Sequence, residues 1–240
     1  MPLELLDVNP AKDFPELTER LIEAFEHPPQ GFIHAYFAPP SRDEVGRRER
    51  INEAATRYES WNEHSPNNYW QKVIDTQTGA IVGGALWKIY SEDPFAEQHS
   101  VEATWLPNDG SRKFAEAFLK LYATPRAALG RRPQVYLSII FTSPSHRRRG
   151  LAQQIMSWGI EKANQMGVEM FIDATEMGKP LYEQNGFTCV EVNKIIPKTE
   201  CKDEGWKELE ERVGPITTLY LMWRPSGGPY VEGKTTFPWV

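Results

Sequence analysis

Apolar residues recur along this chain with two different periods, and the changeovers between them mark out its elements. From Glu16 to Glu26 they fall at Leu17, Leu21, Ile22 and Phe25, the spacing of one helix face, and the Pro28-Pro29 pair ends the run. A second helix is predicted from Arg42 to about Trp61. Between Tyr69 and Tyr90 the period drops to two and β-branched residues gather: WQKVID, a polar TQTG turn, then AIVGGALWKIY. That is the pattern of a β-hairpin. HSVEATWLP is a further candidate strand, and Phe114, Phe118, Leu119 and Tyr122 give Ser111 to Ala123 one apolar helical face.

The second half alternates strand and helix. VYLSIIFT is followed by a helix from Leu151 to Met166, then EMFIDAT, a short helix around Pro180 to Asn185, and FTCVEVNKII. A charged helical stretch from Lys202 to Arg212 and a last strand, ITTLYLMW, complete it. Strands alternating with helices imply a layered α/β (α+β) architecture, and no linker is long enough to split the chain, so one domain over residues 1–240 is expected. From Pro225 the composition PSGGPYVEGKTTFPWV resists regular structure and reads as a loop or wrapping arm.

Composition narrows the functional classes. A chain of 240 residues, 40% hydrophobic and 25% charged, can bury a substantial core. Its longest nearly uninterrupted apolar stretch, Val135 to Phe141, is far short of the roughly 20 residues of a membrane helix, and MPLELLDVNP lacks the basic-then-apolar order of a secretory signal. The two cysteines, Cys189 and Cys201, form no CxxC, and no HExxH occurs, so no metal site is expected. A reducing, cytoplasmic location follows as the expectation. With no apolar span no membrane partner is expected, and a net charge of −6 argues against a surface shaped as a whole for nucleic acid, so no nucleic-acid partner is expected. One local exception is His146 to Gly150, HRRRG, which runs directly into a helix.

At that junction, TSPSHRRRGLAQQIMSWG, Pro144 and Ser145 break the strand and the helix opens near Gly150. The first N–H groups of a helix lack partners, and with the positive end of the helix dipole they form a concavity for phosphate or pyrophosphate. Gly150 lets a ligand approach the main chain, and Arg147, Arg148 and Arg149 add charge. Neither GxxxxGK[ST] nor GxGxxG is present.

The run Arg147 to Ala152, after a strand and Pro144, resembles the [QR]xxGx[GA] acetyl-CoA signature of the GNAT N-acetyltransferase superfamily. Leu181-Tyr182-Glu183-Gln184-Asn185-Gly186-Phe187 resembles its LYxxxGF segment, at the matching distance and after a strand. The resemblance spans roughly Trp70 to Trp223 and is similar to small-molecule-type members seen in fungi. It implies a mixed central sheet, splayed open and flanked by helices on both faces. Residues 1–68 would shape the acceptor site, 69–224 form the acetyltransferase core and 225–240 the arm.

It further implies acetyl-CoA as co-substrate, with the backbone of Ile140, Phe141 and Thr142 along the pantetheine arm. The N–H groups from Arg148 through Gly150, Leu151 and Ala152 to Gln153 would hold the pyrophosphate, with Arg147 adding charge. Thr175 stands where many members carry an Asn that contacts the cofactor or a water. Tyr182 would protonate the departing thiolate, so that a small primary amine is acetylated directly. The strand VYLSIIFT holds no acidic residue, and the candidates for accepting the amine's proton are Asp173, Glu102 and Glu176. A monomer or homodimer is expected. A protein or peptide amine as acceptor, and a non-catalytic acyl-CoA sensor, are the competing readings.

Overall fold

The computed structural model describes residues 3–37, 43–97 and 101–240. Seven strands form one sheet: β1 (Leu3–Asp7), β2 (Asn68–Asp75), β3 (Ile81–Tyr90), β4 (Gln134–Thr142), β5 (Glu169–Ala174), β6 (Thr188–Ile195) and β7 (Thr217–Arg224). Their order across the sheet is β1-β2-β3-β4-β5-β7-β6, and β4 with β5 is the one parallel pair among antiparallel neighbours. Six α-helices cover it: α1 (Pro10–Glu26), α2 (Glu44–His64), α3 (Gly110–Leu129), α4 (Leu151–Met166), α5 (Lys179–Gln184) and α6 (Glu204–Val213). A 3-10 turn, Gly31–Ala35, lies between α1 and α2. No helix of the described residues is long and apolar enough to cross a membrane.

The strands sort their side chains by alternation. Trp87, Val135, Leu137, Met170 and Ile172 face α4, and Ile155, Met156 and Ala163 of that helix complete the layer. Opposite, Leu86 and Phe141 pack with Phe14, Leu17 and Leu21 of α1 and with Ala54 and Tyr58 of α2. Phe114 and Phe118 of α3 pack with Trp206 and Leu209 of α6, Ile195 of β6 and Leu219 of β7. Helix α4 lies very close to β3, because a Cβ on Gly159 would stand 2.1 Å from the Trp87 ring. Trp87, fully buried, donates its indole N–H to Gln71 Oε1 at 2.9 Å.

Several boundaries depart from the pattern reading. The segment LELLD, unassigned by pattern, is the edge strand β1, paired antiparallel with β2. Helix α3 runs six residues past Ala123, through Pro125 to Leu129. The candidate strand HSVEATWLP is not one over its described part: residues 98–100 lie outside the described residues, and Val101 to Pro107 hold no strand but a turn at Thr104 and Trp105, with Ala103 and Leu106 buried beside α3. Its apolar residues point inward without pairing to a strand, and both neighbours of β3 are already in place as β2 and β4.

Candidate active site

The sheet opens at its centre. Strands β4 and β5 pair from Gln134↔Glu169 only as far as Leu137↔Ile172, while β4 runs on to Thr142 beside β3. The register against β3 slips between Leu86 and Trp87, so that Ser138 is an extra residue, a bulge, at the point where β5 is left behind. Beyond it the Ser143 N–H donates to Val82 O of β3 at 2.9 Å. Backbone groups alternate sides along a strand, so Phe141 shares that side, whereas Ile140 and Thr142 turn their N–H and C=O toward the gap. An extended, amide-bearing chain can pair with them there.

Just past β4 the chain makes a turn with two left-handed residues before the next helix. Pro144–His146 make one 3-10 turn, Arg148 takes φ +60° and Gly150 φ +84°, and α4 begins at Leu151. Left-handed residues alternating with others in a turn can point backbone N–H groups into one concavity. The first intrahelical bond is Gln154 N–H to Gly150 O, 3.0 Å, so the N–H groups of Leu151, Ala152 and Gln153 have no partner within the helix. A Cβ built on Gly150 meets nothing within 4 Å, so the space in front of this turn is open. Arg148 and Arg149 are exposed beside it. These are the features that a pyrophosphate requires.

Two other side chains of this stretch hold the scaffold. Arg147 Nη2 donates to Ala24 O at 2.8 Å, at the C-terminal end of α1, so this arginine ties the turn to α1 and its charge is engaged there. Gln153 and Asn185 exchange amide hydrogen bonds of 2.8 and 3.0 Å, which fasten the first turn of α4 to the end of α5.

Tyr182 lies on α5. That helix opens from a turn in which Gly178 N–H reaches both Thr175 O (3.0 Å) and Thr175 Oγ1 (3.2 Å), and Pro180 sits in its first turn, where a missing N–H costs nothing. Thr175 is therefore the hinge of this turn. It also stands near the tyrosine, because a Cβ on Gly178 would lie 3.4 Å from the Tyr182 hydroxyl and 3.5 Å from Thr175 Oγ1. The Tyr182 ring is buried against Phe187 in the layer that includes Leu137 and Leu151. Burial pushes its phenol well above the ordinary tyrosine value.

The three acidic candidates separate clearly. Asp173 is buried on the face away from α4: its Oδ2 accepts from Tyr136 at 2.9 Å and lies 3.6 Å from Arg126 Nε, while Tyr136 OH and Tyr122 OH are 2.5 Å apart. Burial raises the Asp173 carboxyl above its ordinary value, opposed by Arg126 and the tyrosines. It anchors α3 to the sheet. Glu102 lies in the turns after residue 100, its side chain 72% exposed and 3.7 Å from Arg112. It occupies no strand. Glu176 lines an open cleft of about 530 Å³, formed by Pro29 to Phe32, by Thr175, Glu176 and Met177 just past the end of β5, by Val213 and by Ile216 to Leu219. Four separate segments build this cleft, and pattern analysis singled out only Thr175 and Glu176 of it. Tyr220 follows Leu219 in β7, and the nearby Glu176 carboxylate raises its phenol above the ordinary value.

Residues 122–196 match the family model described as an acetyltransferase (GNAT) domain. The splayed sheet is the deciding observation alongside it. The fold is the GNAT acetyltransferase fold. A search of curated proteins finds no match. Among solved structures, the histone acetyltransferase HPA2 and related acetyltransferase of Corynebacterium glutamicum aligns at 21% identity and a TM-score of 0.56, over 96% of this chain and all of that one. A phosphinothricin acetyltransferase of Sinorhizobium meliloti, solved with acetyl-CoA, aligns at 16% identity and 0.53, over 100% and 98%. The Drosophila melanogaster polyamine N-acetyltransferase, which forms N-acetylagmatine, aligns at 12% and 0.59, over 93% and 100%. Acetyl-CoA as co-substrate fits this GNAT fold and the anion turn that opens α4.

Proposed function

We propose that this protein is an acetyl-CoA-dependent N-acetyltransferase that moves the acetyl group directly onto a primary amine of a small molecule. The observation that carries the reading is the coincidence of two main-chain sites: the unpaired edge of β4 at Ile140 and Thr142, and the turn from Arg148 to Gln153. They suit an extended amide-bearing arm that ends in a pyrophosphate. Acetyl-CoA supplies an activated acetyl thioester. Tyr182, kept protonated by burial, gives its proton to the sulfur as the carbon–sulfur bond breaks and the carbon–nitrogen bond forms. Of the candidate carboxylates, Glu176 stands in the cleft where the amine would enter and takes the proton the nitrogen loses. Asp173, held by Arg126 and Tyr136, keeps a structural role in this reading. No covalent enzyme intermediate is needed in this reading, and burial raises the Cys189 thiol above its ordinary value, which disfavours its thiolate.

Supporting the small acceptor are the cleft volume, which falls within the range of small-molecule sites, and structural neighbours named for small amines. The test is thiol release from acetyl-CoA by the purified protein, comparing a pool of small primary amines with a pool of lysine-containing and N-terminal peptides. Release with the first pool alone is expected. Release with peptides alone would replace the acceptor class. Binding of acetyl-CoA with no release in either pool would favour a sensor.

A further inference from the structure

Two of the large apolar side chains that solvent reaches, Met177 at 59% and Ile216 at 54% exposure, stand in the cleft beside Thr175, together with Phe32 and Leu219. Apolar surface left open inside a concavity is surface that a ligand covers. One ionisable side chain lines the cleft, Glu176, and among the described residues its lining includes no Lys, Arg or His. The neighbouring acidic groups are engaged elsewhere: Asp173 faces Arg126 and Tyr136, and Glu183 lies 3.7 Å from Lys179. Lys179 in turn sits 4.9 Å from the centre of the Tyr220 ring. Glu176 itself is exposed to solvent at the cleft wall, next to Thr175 and Met177. The site thus offers one negative charge, a neighbouring apolar wall and no fixed cation.

From this lining we infer that the acceptor is a primary amine carrying a single positive charge on an alkyl or arylalkyl body, its ammonium group held by Glu176 before transfer. The inference deepens the acetyltransferase reading and rests on it. A diamine would bring a second ammonium out of water against Phe32 and Ile216 with no carboxylate to meet it. An amino acid would set its own carboxylate near Glu176 with no cation to offset the repulsion. Both are poor acceptors on this account.

Two matched pairs of acceptors test it by thiol release from acetyl-CoA: n-hexylamine against 1,6-diaminohexane, and 2-phenylethylamine against phenylalanine. Each monoamine is expected to exceed its partner at least about tenfold in kcat/KM, the cost of one unpaired or repelled charge at a partly solvated site. From n-propylamine to n-hexylamine, kcat/KM is expected to rise about three- to fourfold per methylene, as burial on an apolar wall requires. Glu176→Gln is expected to lower kcat/KM for n-hexylamine about tenfold or more, with acetyl-CoA affinity by calorimetry unchanged. The substrate class is overturned if the diamine or phenylalanine is acetylated as fast as its partner, if Glu176→Gln changes nothing, or if acetyl-CoA binds and none of the four amines is acetylated. Failure of acetyl-CoA to bind at all would instead overturn the acetyltransferase reading itself.

Discussion

At Gly150 the backbone takes a conformation that costs an ordinary L-residue about 1 kcal/mol, and it does so where no side chain crowds the turn. Gly150→Asp therefore adds modest strain to the fold but puts a carboxylate in front of the N–H groups that open α4. We expect acetyl-CoA affinity to fall at least a hundredfold with an almost unchanged melting temperature; undiminished affinity by calorimetry would remove the pyrophosphate site from this turn. Tyr182→Phe keeps the ring against Phe187 and removes only the hydroxyl. Turnover is expected to drop about a hundredfold or more while acetyl-CoA still binds, the scale of a lost general acid. Lys88 makes a third case: burial, aided by Arg126, lowers its ammonium to about 8 from 10.5. Above pH 8 the native chain releases that proton while the unfolded chain keeps it until about 10.5, so stability rises over this window, by roughly 2–3 kcal/mol. In Lys88→Met the rise should be absent and stability at pH 7 higher, as urea titrations at pH 7 and pH 10 would show; an equal rise in both proteins would refute the assignment.

Helix α3 is tied to the sheet by one charged residue near its end. Arg126 is buried 3.6 Å from Asp173 and lies over the Tyr136 ring at 3.7 Å. Arg126→Met would strand the carboxylate in the interior and is expected to cost about 3–5 kcal/mol by urea unfolding, most of which Asp173→Leu on the same chain should restore. If the single variant is as stable as the parent, the pair does not anchor α3. Nothing in the sequence pairs residue 126 with residue 173, because the contact depends on how α3 crosses the sheet. Helix α4 and the turn before it were legible for the opposite reason. Pro144, Gly150 and the apolar spacing of Leu151, Ile155 and Met156 act within a few residues of one another. Strand β1 goes unassigned by pattern and Val101 to Pro107 reads as a candidate strand because a short apolar segment is silent on whether a neighbouring strand is there to pair. The cleft was the least legible part: Phe32, Met177, Val213 and Ile216 are far apart in the chain and meet only once α6 and the 3-10 turn are packed.

Across the whole molecule, the last strand in sequence is not the last in space. β7 inserts between β5 and β6, so the chain leaves the sheet near its interior and its final sixteen residues return over it. The arm is more than a cover. Tyr230, Phe237 and Trp239 pack around the buried Trp223, and Phe237 stacks on both of the other arm rings. The Tyr230 N–H donates to Gly186 O at 2.9 Å, and Pro229 fills the space in front of Gly186, so the arm braces the turn that follows Tyr182. Three half-buried rings at about 1 kcal/mol each make the arm worth about 3 kcal/mol, which for a chain of this length lowers the melting temperature by about 6–12 °C. Ending the chain at Arg224 should produce that fall and also loosen the turn of α5, so that kcat drops further than acetyl-CoA affinity does. A truncated protein that melts at the parental temperature would show that the arm contributes no stability; one that melts lower yet turns over at the parental rate would show that it shields Trp223 without steadying Tyr182.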